Sequence, residues 1–165
     1  MNGEDEKNTS NSAMIYCLKR CMQGLASSKE SSRQGCYVLL TELLSLYSKK
    51  REGCIDLIEE ILQKMDEYLN PSHASKGEEG EYLIGKCFCI RAIIYSGLLN
   101  GKKKEISIIL ERLVKLGSQR SYLKNVAYMN IVLCIKSVST IFIFYLSLIG
   151  KKLNDLTLTV LFTII

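Results

Sequence analysis

A single proline, Pro71, stands in 165 residues, and on both sides of it apolar residues recur at every third and fourth position. Inside a helix proline removes a backbone hydrogen bond and clashes with the preceding turn, so a chain with one proline leaves long helical stretches uninterrupted. Leu, Ile, Lys and Glu fill most of those stretches, and all are compatible with helix. The chain therefore reads as all-α.

The spacing predicts a first helix over 13–26, with Ile15, Leu18, Met22 and Leu25 on one face and Ser12 as N-cap. A second covers 29–48 behind Ser28. Its stripe of Cys36, Leu39, Leu40, Leu43, Leu44 and Tyr47 is wide, as for a helix packed on two sides. Leu40 and Leu43 are expected against the first and fourth helices. A third helix over 54–69 carries Ile55, Ile58, Leu62, Met65 and Leu69 inward, and ends at Asn70-Pro71 because the residue before proline is pushed out of the α region. A polar loop follows over 71–81.

The fourth helix, 82–99, is apolar nearly all round, which places it centrally, and Asn100-Gly101 is expected to close it as a left-handed cap. A fifth over 102–116 turns Ile106, Ile109, Leu110, Leu113 and Leu116 inward, and a sixth begins near Ser121 beyond Gly117-Ser118. Short connections between helices of this length fit an α-solenoid or an irregular bundle. Three segments are expected: a polar, disordered N-terminal extension over 1–12, a helical-repeat domain over 13–130, and an apolar segment over 131–165.

The net charge of +5 permits contact with nucleic acid or an anionic membrane without demanding either. Seven cysteines are scattered without a C-x-x-C pair, which points to free thiols in a reducing, intracellular compartment. Segment 1–12 lacks the basic and apolar parts of a secretory leader. His73 has no second histidine beside it, so histidine metal pairs and Ser-His-Asp triads have no material. Asp5, Asp56, Asp66 and Asp155 are far apart in sequence, and Gly77-x-x-Gly80 lacks both the strand and the Lys-Ser/Thr of a phosphate loop. The expectation is no enzyme, no cofactor, no metal and no small-molecule substrate.

The residues that stand out are basic. Lys19 and Arg20, with Lys102, Lys103 and Lys104, are the candidate contacts for nucleic acid or an acidic partner. Three cations in the first turn of a helix oppose its dipole at about 0.3–1 kcal/mol each, a cost that an anionic partner offsets. A solvated surface is the simpler reading, above all for Lys19 and Arg20, and stays ahead of a binding role. Arg33 is expected to pair with an acid on a neighbouring helix. The run over 131–149 is long enough to cross a bilayer, with Lys136 near one end and Lys151-Lys152 beyond the other. It reads either as a membrane anchor or as a foreign tail on an incomplete solenoid, the latter favoured by the abrupt change of composition.

One stretch says more. YCLKRCMQGLASSKESSRQGCYVLLTELL, residues 16–44, resembles the N-terminal region of the DNA polymerase V / Myb-binding protein 1A family, through Tyr16, Leu18, Lys19, Arg20, Gly24, Leu25, Ser27, Ser28, Glu30, Arg33, Gly35 and residues 40–44. GKCFCIRAIIYSGLL over 85–99 and Arg120-Ser121-Tyr122-Leu123 are similar to two further motifs of that family, in order, so that the resemblance spans 13–126. It implies HEAT/armadillo-like helix pairs and a nuclear, nucleolar protein with protein partners in ribosomal RNA gene transcription and ribosome assembly, without a polymerase motif. The chain departs from the family by stopping early, by lacking a basic tail, and where Lys124-Asn125-Val126 replaces the expected Arg-Glu. The alternative reading is a small membrane-anchored helical protein held by 131–149.

Overall fold

The computed structural model describes residues 3–50 and 57–137 of the chain. Among them are six α-helices: α1 (Gly3–Gly24), α2 (Glu30–Lys50), α3 (Leu57–Tyr68), α4 (Glu79–Tyr95), α5 (Lys103–Gln119) and α6 (Leu123–Ser137), with a 3-10 turn at Pro71–His73 between α3 and α4. No strand occurs among the described residues. The all-α reading holds.

Helix α1 starts at Gly3, inside the segment read as a polar extension; no proline or glycine lies between Gly3 and Gly24 to stop it. At the other end α6 runs through position 130 to Ser137, so the boundary expected at 130 falls within a helix. Three of the four residues assigned to the inner face of α1, namely Leu18, Met22 and Leu25, are buried.

Helix α2 packs against α1 on one side and α4 on the other. Its stripe is narrower than its sequence implies. Leu40, Leu44 and Tyr47 are buried and Leu43 is half-buried, while Leu39 is exposed. A wide apolar stripe marks the residues that packing could use, but neighbours on α1 and α4 cover only part of it. Ser28 does not cap α2. Instead the Ser27 hydroxyl accepts the Lys29 amide at 3.2 Å, and Arg33 Nη1 donates to the Ser27 carbonyl at 2.7 Å. Arg33 thus ties the α1–α2 turn to α2, and the acid expected as its partner is replaced by a backbone carbonyl.

Helix α3 buries Leu57, Ile58, Ile61, Leu62 and Met65 on one face. It ends before Pro71, where the Asn70 side chain accepts the Ser72 amide at 3.0 Å. Helix α4 is the centre of the fold and touches all five other helices. Its path close to the α1–α2 turn depends on Gly85, where a Cβ would meet the backbone of Leu25 and Ala26 at 3.3 Å. The helix ends at Tyr95, earlier than expected. Gly97 takes the left-handed conformation just past it, at φ +79°, and the expected cap residue Gly101 is left-handed too, at φ +75°, closing the turn before α5.

Helix α5 buries the five residues assigned to its inner face and pairs closely with α6. Within this arrangement α2, α4 and α6 form a row of successive neighbours. No helix among the described residues is long and apolar enough to cross a membrane. Residues 138–149 of the candidate span lie outside the described part of the chain.

Candidate interaction surface

The two basic clusters singled out from the sequence sit near opposite ends of α3. On α1, Lys19 and Arg20 are both exposed. The Lys19 ammonium lies 5.5 Å from the ring centroid of Tyr68, at the C-terminal end of α3. On α5, Lys102 is the N-cap, without a side-chain capping bond, and Lys103 and Lys104 open the helix. Lys104 reaches Glu59 on the first turn of α3, with Nζ and Oε1 3.7 Å apart. Residues 59 and 68 are separated by about 14 Å of helix axis. Between them α3 carries Glu60, Asp66 and Glu67. The clusters therefore do not merge into one basic stripe. Lys104 is already partnered by an exposed acid, a pair of small energetic weight because both groups are solvated.

The matched motif residues lie mainly where helices are joined. A Cβ at Gly24 would sit 2.2 Å from the Cys36 sulfur, so α1 and α2 meet closely there and any larger residue would force the Cys36 side chain to shift. Tyr122 lies with its hydroxyl over Gly80, where a Cβ would approach to 2.9 Å, and Leu123 beside it is fully buried. Arg120 faces Glu79 at 3.8 Å. Together Gly77, Glu79, Gly80, Glu81, Ile84, Arg120 and Tyr122 line an open cleft of about 580 Å³ between the start of α4 and the α5–α6 turn. By contrast Gly35 has open space around it, and Tyr16 is exposed.

Three groups escaped the sequence reading. Asp66 on α3 accepts Lys86 of α4 at 2.8 Å and also Arg112 of α5. Burial alone would raise its carboxyl, but the hydrogen bonds from Arg112 and Lys86 outweigh that and hold it below the usual carboxylate range. Asn130 of α6 is fully buried and donates to the Cys87 carbonyl at 2.9 Å, leaving its own Oδ1 without a partner. Arg91 of α4 is half-buried with its Nε unsatisfied. The available signal for Lys86 and Arg91 was their presence, as the two cations, in an otherwise apolar helix.

His73 is exposed in the 3-10 turn. Cys21, Cys87, Cys89 and Cys134 are buried free thiols, whereas Cys17 is exposed. Burial pushes the Cys87 and Cys134 thiols up to about 11 and Cys89 to about 12, which keeps them protonated and inert. Among the described residues no three His, Cys, Asp or Glu side chains converge to hold a metal ion.

Among the described residues the geometry defines an all-helical arrangement in which Asp66, Lys86, Arg112 and Asn130 brace helices against one another. The chain belongs to the DNA polymerase phi family, whose profile matches residues 16–159. It is 30% identical over 117 residues to the rDNA transcriptional regulator pol5 of Schizosaccharomyces pombe (strain 972 / ATCC 24843), a match that covers 68% of this chain and 12% of that relative. The chain thus spans a small part of the relative's length. No solved structure matches it.

Proposed function

We propose that this chain is a non-enzymatic helical-repeat module that acts in ribosomal RNA gene transcription by binding protein partners in the nucleolus. The observation that carries the reading is the similarity to an rDNA transcriptional regulator over 68% of the chain. The family name speaks of a polymerase, the relative's name of a regulator. Among the described residues Asp66, Lys86 and Arg112 join three helices to one another, which fits the regulator. The row of α2, α4 and α6 supports the HEAT/armadillo-like part of the proposal, since solenoids stack equivalent helices of successive pairs. The kinship to Myb-binding protein 1A and a part in ribosome assembly belong to the same proposal.

Lys19, Arg20, Lys102, Lys103 and Lys104 remain candidate contacts for an acidic partner or nucleic acid. Their separation along α3, with acids between, favours a protein surface over a phosphate backbone, whose affinity rises with the number of cations on one track.

Chromatin immunoprecipitation of the tagged chain tests the proposal. Enrichment at ribosomal RNA genes over other transcribed genes is expected, and should persist after deletion of residues 138–165. Uniform recovery across the genome, or recovery of the chain only in alkaline-resistant membranes, would overturn it.

A further inference from the structure

We draw no further inference here: the strongest candidate, the open cleft between the start of α4 and the α5–α6 turn, sets Glu79 and Glu81 beside Arg120, Ile84 and Tyr122 with Arg120 already facing Glu79, and nothing in the structure shows what covers it.

Discussion

Arg112 on α5 reaches across to Asp66 on α3, and the same carboxylate holds Lys86 of α4 through its other oxygen. One aspartate therefore ties three helices that come from distant parts of the sequence. Lys86 is the more buried partner, its side chain 15% exposed against 42% for Asp66. Losing the carboxylate strands a desolvated ammonium, which is costlier than losing an exposed pair.

Asp66→Asn is accordingly expected to destabilise the chain by about 1–2 kcal/mol, a charged hydrogen-bond network discounted for its partial exposure. The effect should depend on pH. The Asp66 carboxyl is held below its ordinary value of 3.8 in the folded chain. Its contribution is then fully present above that value and is lost as pH falls through the lower, folded-state value. Urea titrations at neutral pH and below the ordinary carboxylate value should show the gap between parent and variant closing in acid. A gap that stays constant would show that Asp66 acts by shape and not by charge.

Leu40 and Leu43 lie one turn apart on α2 but differ in cover, since Leu40 is fully buried and Leu43 only partly. Leu40→Ala should cost about 2–5 kcal/mol. Leu43→Ala should cost roughly 1 kcal/mol, near the centre of ordinary substitutions. Chemical denaturation of the two variants side by side checks the order, and reversal would place α2 in a different rotation.

Gly24 and Gly35 should respond in opposite directions to alanine. At Gly24 the new methyl meets the Cys36 sulfur, and about 1–3 kcal/mol of overpacking is expected. Adding Cys36→Ala should restore much of that loss, because the sulfur is the colliding atom. At Gly35 nothing lies within 4 Å, so alanine should stabilise α2 by about 0.5–1 kcal/mol through backbone entropy.

Asn130 offers a further contrast. Its Oδ1 is buried without a partner, and the Cys87 carbonyl it serves sits inside helix α4. Replacing a half-satisfied buried amide by an apolar side chain of similar size is expected to be neutral or to stabilise by about 1 kcal/mol. Thermal melts of Asn130→Leu read this directly. A loss beyond about 2 kcal/mol would mean that the amide is essential to the α4–α6 contact.

Thiol labelling of the folded chain should reach Cys17 first among the cysteines described here. Cys21, Cys87, Cys89 and Cys134 are buried, and burial pushes the thiol of Cys21 up to about 11. Mass spectrometry after brief exposure to maleimide at neutral pH should find Cys17 modified and those four intact until denaturant is added.

The sequence by itself determined the helices. One proline, three- and four-residue apolar spacing, and glycines at the breaks located the six to within a few residues for most ends, because these signals act within one or two turns of backbone. It also located the inward faces of α5 and of α3, Ile55 of the latter lying outside the described residues, because a narrow stripe leaves one orientation. It placed α4 at the centre, since a helix apolar nearly all round packs on several sides, although Tyr95 at its end is exposed. It did not settle how much of α2's stripe is covered: Leu39 and Leu40 are alike as residues and differ only in which neighbour stands beside them. Only the tertiary structure assigned partners to polar groups. Asp66 meets a lysine 20 residues away and an arginine 46 away, separations that no local pattern encodes. Among the described residues no carboxylate pairs with Arg91, and for the same reason: whether a charge is answered depends on what other helices bring to it.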